Sequence, residues 1–159
     1  MAIHKLMIDD FVTVDYTLIA IHTSLEDYRL AYFLNRELEI RLQKCPKDIS
    51  FIHRESKAYF SRYTFEDDVN DMAWNLIQNK NSIVSTPADT LSSLFSGGEY
   101  QVTTSVFFIP ELKAVDYILK VDNEETEEYV LKALLAVKYI ATAYKIDHSK
   151  LKSKNNLIF

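Results

Sequence analysis

Lys57-Ala-Tyr-Phe-Ser-Arg-Tyr-Thr-Phe65, then Glu66-Asp-Asp-Val-Asn-Asp71, then Met72-Ala-Trp-Asn-Leu-Ile-Gln-Asn79: these three consecutive runs decide the fold class. The first is rich in Tyr and Phe, residues that suit a pleated, half-buried surface. The third alternates Met72, Trp74 and Leu76 with Ala73, Asn75 and Ile77, the period of two expected of a strand. A short acidic loop between two such runs predicts a β-hairpin, and hence an antiparallel sheet.

Upstream, Thr17-Leu-Ile-Ala-Ile-His22 is continuously apolar and β-branched, so a strand buried on both faces is predicted. Ser24 then offers an N-cap, with Asp27 in capping-box position, to a helix of about Leu25 to Arg36. Leu38, Ile40 and Leu42 alternate with Glu39, Arg41 and Gln43, predicting a half-buried strand that ends before Pro46. Downstream, residues 81–100 are rich in Ser, Thr and Asn, contain Pro87, Gly97 and Gly98, and read as a mobile loop.

Val102 to Ile109 and Val115 to Val121 read as a second hairpin, turned at Pro110, whose fixed φ suits the first central turn position. Asp122 then caps a last helix of about twenty residues, with Glu125 in capping-box position and Glu124, Glu127 and Glu128 at the positive end of its dipole. Its apolar stripe is Val130, Ala133, Leu134, Val137, Ile140, Ala141 and Tyr144. Residues 145–159, with four Lys against one Asp, read as a flexible basic tail. Clustered strands with helices at the ends predict an α+β fold. It is one domain over 1–159: an antiparallel sheet of about five to seven strands, two helices packed on one face, in two layers.

Ile109-Pro110-Glu111, three free positions, then Val115-Asp116-Tyr117 resembles the signature of the bacterial IPExxxVDY family, with all six fixed letters present. The run from Leu18 to Asn35 also resembles that family's N-terminal half, so the likeness spans most of the chain. The resemblance implies no activity, cofactor or catalytic residue.

Composition narrows the chemistry. A net charge of −5 argues against nucleic acid, because phosphate binding needs clustered Lys and Arg. With two glycines in 159 residues, neither a P-loop nor a dinucleotide loop can be built. His4, His22, His53 and His148 are scattered singly, and Cys45 stands alone, so no metal or other cofactor is implied. The lone cysteine suits a reducing compartment, and no apolar run is long enough for a signal peptide or membrane span. A cytoplasmic protein with no membrane contact is expected.

Three groups of residues remain as candidates. His22 ends a buried strand just before a helix, where Ser24 and Asp27 suggest either capping or a nucleophile–base cluster. Asp116 lies in an apolar strand, with its side chain opposite those of Val115 and Tyr117. Arg29 could pair with it, fixing helix against sheet or forming a ligand-facing site; in the structural case Asp116→Ala costs about 3 to 5 kcal/mol. Glu111 sits in the turn, either solvated or contacting a partner. The aromatic ladder Tyr59, Phe60, Tyr63, Phe65 and Trp74 reads as core packing or a self-association surface.

Three functions fit these features. The leading one is a non-enzymatic interaction protein, a homodimer through an aromatic-rich sheet face or edge. The second is a helix-grip-like module holding an apolar small molecule between sheet and last helix. The third is a hydrolase-like enzyme centred on His22 with Asp27, Ser24 or Asp116.

Overall fold

A computed structural model describes residues 15–54, 56–85, 101–122 and 127–159. The elements run β1 (Thr17–Thr23), α1 (Asp27–Leu38), β2 (Gln43–Lys44), β3 (Ile49–His53), β4 (Ser56–Phe60), β5 (Arg62–Asp67), β6 (Met72–Gln78), β7 (Lys80–Ser85), β8 (Val102–Phe107), β9 (Tyr117–Val121), α2 (Glu127–Ala136) and β10 (Ile140–Lys145). Two 3-10 turns follow, at His148–Lys150 and Lys154–Leu157.

The fold is α+β. A six-stranded antiparallel sheet has the order β10-β1-β9-β6-β5-β2, and the pairs β3-β4 and β7-β8 form separate two-stranded sheets. Period-two alternation explains the two cores. Ile19 and Ile21 of β1, Leu76 of β6 and Leu119 of β9 face one side, where Leu30 and Leu34 of α1 and Val130 and Leu134 of α2 cover them. Leu18, Ala20, Ile77 and Ile118 face the other side, beneath Phe60, Val106, Phe108 and Ile109. Both helices therefore share one face, and the opposite face carries its own apolar layer.

The acidic hairpin forms as expected, with Asp67 opposite Met72. Asp67 accepts the N–H groups of Val69 and Asn70 at 3.1 and 3.3 Å, which makes the loop a self-capped turn. Its first strand is broken, however. Ser61 separates β4 from β5, so Tyr59 and Phe60 belong to a different sheet from Tyr63 and Phe65. The aromatic ladder is thus divided: Phe60 lies in one core, Trp74 in the other, and Tyr59 is exposed.

Other expectations are corrected. The helix of about twenty residues is ten residues long, Glu127–Ala136. Successive turn bonds, Val137 N–H to Leu134 O and Ile140 N–H to Val137 O, then lead the chain into β10. Ile140 and Tyr144 therefore sit on an edge strand beside β1. Glu125, in capping-box position, and Glu124, of the acidic first turn, lie outside the described residues.

Ser24 does not cap α1. Glu26 is the capping residue without a side-chain bond, and Thr23 Oγ1 accepts from Leu25 N at 3.1 Å instead. Ile40 and Leu42 are buried as predicted but form no strand, because Asn35 takes up the Leu42 backbone through Oδ1 at 2.7 Å and Nδ2 at 3.1 Å. Of the loop 81–100, residues 81–85 belong to β7 and 86–100 lie outside the described residues.

The C-terminal residues form a strap across the second core, with Leu151 and Leu157 buried in it. A flexible basic tail does not describe these anchored side chains.

Candidate functional site

Of the six motif residues, Asp116 and Tyr117 clasp the start of α1 and the other four shape the loop before them. Ile109 and Val115 are core residues of the second face, and Pro110 occupies the turn closed by Leu112 N–H to Ile109 O at 3.0 Å. Val115 lies before β9 begins, so it does not continue the alternation: it joins the opposite core from Tyr117. Asp116 is half-buried, and its Oδ2 accepts the N–H of Thr23 at 3.0 Å. The buried Tyr117 hydroxyl donates to Leu25 O at 2.9 Å. These two residues thus hold both ends of the Thr23–Leu25 connection between β1 and α1. Burial, followed by the nearby charges of Asp27 and Asp116, pushes the Tyr117 phenol far above its ordinary value, so it remains a hydrogen-bond donor.

Asn79, immediately after β6, holds the signature loop together. Its side chain is fully buried. Nδ2 donates to Leu112 O at 2.8 Å and Val115 O at 2.9 Å, and Oδ1 accepts from Ile109 N at 2.8 Å. Its backbone also bonds Asp116 O and Phe108 N. A sequence reading offers only an unremarked Asn at a strand end; the need appears when the loop carbonyls are enclosed.

Asp27, in the first turn of α1, joins a second group that sequence reasoning did not assemble. The Ser61 hydroxyl donates to Asp27 Oδ2 and accepts from Lys44 Nζ at 2.5 Å. Lys44 also donates to Asp48 at 2.8 Å, pairs with Asp27 at 3.6 Å, and lies 5.4 Å from the Tyr63 ring centre. The i,i+4 spacing of Lys44 and Asp48 was the available sequence signal for part of this cluster.

Burial alone would lower the Lys44 pKa, but the hydrogen bond and charge of Asp48, with Asp27 behind them, hold it above its ordinary value. A Ser–Lys nucleophile needs a neutral lysine to take the hydroxyl proton. Here the ammonium is a donor, and Ser61 is itself largely buried. The group ties α1 to the break between β4 and β5. An open cleft of about 620 Å³ lies alongside, walled by Lys44, Pro46, Asp48, Ser50 and Tyr59.

The remaining candidates are dispersed. His22 is half-buried beside edge strand β10, with Nε2 3.3 Å from the Tyr144 hydroxyl and the rings stacked at 5.6 Å. No hydrogen bond joins it to Ser24, Asp27 or Asp116 among the described residues, so the convergence required by the hydrolase reading is missing. Arg29 is exposed and forms no ion pair with Asp116, whose carboxylate serves the Thr23 backbone instead.

Glu111 lies at the other end of the signature loop and accepts from Lys152 N at 2.6 Å and Ser153 N at 2.7 Å. Desolvation opposes ionisation, yet hydrogen bonds from its own backbone and from Ser153 and Lys152 hold its carboxyl below the ordinary value. It fastens the C-terminal strap.

Among the described residues no cluster of His, Cys, Asp or Glu could hold a metal ion, and no helix is long and apolar enough to cross a membrane. Compared with protein-family models, curated proteins and solved structures, the chain matches none of them.

Proposed function

We propose that this chain is a non-enzymatic, self-associating interaction domain of the bacterial cytoplasm, of the IPExxxVDY type, and that two copies pair through the outer edge of β10. The observation that carries this reading is the difference between the sheet's two edges. At one end β2 contributes two residues, Gln43–Lys44, and Pro46 follows, which limits further pairing. At the other end β10 spans six residues without proline. Its Lys145, the sort of charge that guards an edge, is engaged by Glu127 at 2.6 Å.

The ladder gives the direction of the free groups. Ile146 N–H bonds Leu18 O at 2.8 Å. Bonded pairs alternate along an antiparallel ladder, so the N–H and C=O of Ala143 turn away from β1. Aromatic side chains border this edge on both sides of the sheet. Tyr139 packs on Phe33, with Tyr32 beyond it, while Tyr144 stacks on His22. Tyr and Phe suit such surfaces because they bring large contact area with few rotatable bonds.

Light scattering at micromolar concentration tests the assembly, and a monomer near 18.5 kDa overturns it. Ala143→Pro removes an outward donor while sparing the bonds to β1, so it should give a folded monomer. If that variant remains dimeric, the contact lies elsewhere than β10.

A further inference from the structure

We propose that the cleft where β5, β6 and β9 meet is a binding site for a small aromatic carboxylate, covered in this structure by the ring of Phe159. Arg62 enters the cleft from β5 and is half-buried. Asn75, buried on neighbouring β6, accepts its Nε–H at 3.1 Å and so fixes the plane of the guanidinium. Among the described residues Arg62 forms no ion pair with a carboxylate, and its two terminal nitrogens have no hydrogen-bond partner. A guanidinium held in one plane with its fork unused is suited to bidentate recognition of a carboxylate.

Lys120, from β9, supplies the second cation. Its side chain is largely covered, and among the described residues it pairs with the carboxylate of Asp122, at 3.5 Å. The Phe159 ring lies 4.1 Å from the Arg62 guanidinium carbon and 5.3 Å from Lys120 Nζ, while the Tyr16 ring lies 4.9 Å from Lys120 on its other side. Two cations thus face an aromatic ring, an arrangement favoured by the ring's negative face.

The ring is weakly held. Phe159 is 43% exposed and Ile158 is 81% exposed, so the last buried anchor is Leu157. A ring placed by two cations and little packing is open to replacement by one that also carries a negative charge. The adjoining cavity of about 190 Å³, walled by Thr64 and Asn75 with the carboxylates of Glu66 and Asp122 at its border, is below the ~300–1,000 Å³ of pockets for larger ligands and points to a single-ring compound whose charge is taken by the Arg62 fork.

Occupancy is read by NMR from the side-chain amide of Asn75, which lines the cleft and holds Arg62. Benzoate should give a saturable change, and benzyl alcohol, the same ring without the charge, should not. Removing the competing ring in Phe159→Ala should tighten benzoate binding at least ~3-fold, because the site no longer has to be vacated. Arg62→Gln should weaken it ~10-fold or more through loss of the charged fork. Arg62→Lys, which keeps the charge without the fork, should fall between, with each variant's melting curve checked for an intact fold. The proposal is overturned if Phe159→Ala shows no saturable response, if benzyl alcohol matches benzoate, or if folded Arg62→Gln binds like the parent.

Discussion

Asn79 shows how much of this structure rests on single polar side chains inside apolar surroundings. Its amide satisfies two carbonyls and one N–H of the signature loop. Asn79→Ala would leave those groups enclosed without partners, and we expect a loss of about 3 kcal/mol or more in urea unfolding. Asn79→Asp should be no milder, since a carboxylate cannot donate to Leu112 and Val115. A cost below ~1 kcal/mol for the alanine variant would mean that the loop closes without this residue. Asp116 is expected to contribute less than a buried ion pair would. With a single backbone bond to Thr23 and Arg29 in solvent, Asp116→Ala should cost about 1 to 2 kcal/mol, and Arg29→Ala within ~0.5 kcal/mol of zero. The two effects should add within about 0.5 kcal/mol. A larger coupling energy in the double-mutant cycle would restore the pairing read from sequence.

At the scale of elements, the C-terminal strap is fastened by two carboxylates with depressed pKa values. Glu111 holds it through Lys152 and Ser153, and Asp147 caps its first turn through the Ser149 hydroxyl and N–H. A carboxyl lowered by folding stabilises fully above its unfolded value and loses that contribution as pH falls through the folded one. For Glu111 the loss therefore begins below about pH 4.5. Amide shifts of Lys152 and Ser153 should move in this acid range, and Glu111→Gln should abolish the component due to Glu111. Invariant shifts between pH 5 and 3 in the parent would remove Glu111 as the fastener.

Sequence periodicity located the β5–β6 hairpin, α1 and the two-sided burial of β1 because each uses one uninterrupted pattern. It failed at β10, where Val137, Ile140, Ala141 and Tyr144 fit a helical stripe equally well. No Gly or Pro marks the turn at Val137. The break at Ser61 was invisible for the same reason, and with it the Asp27–Ser61–Lys44 group. That group exists because α1, β2 and the β4–β5 junction meet in space. Asp116 and Tyr117 stand out in the motif, but the Thr23–Leu25 backbone they bind could not be read from spacing.

For the molecule as a whole, the strand order sets β1 against β10, the first and last strands among the described residues. β1 lies between β9 and β10, and its Thr17 pairs with Val121. Its apolar side chains on both faces acquire their covering layers only when these distant neighbours arrive. During synthesis the ribosome must add about a hundred residues after Thr17 before its first neighbouring strand is available. At roughly 5 to 20 residues per second this leaves Leu18-Ile-Ala-Ile21 without its native partners for several seconds or longer. The fold therefore gives the nascent chain a vulnerable interval, ended by the segment containing the Val-Asp-Tyr half of the signature. A chain halted before Tyr117 should present this strand to chaperones and proteases, whereas one extended past Lys145 and clear of the exit tunnel can bury it.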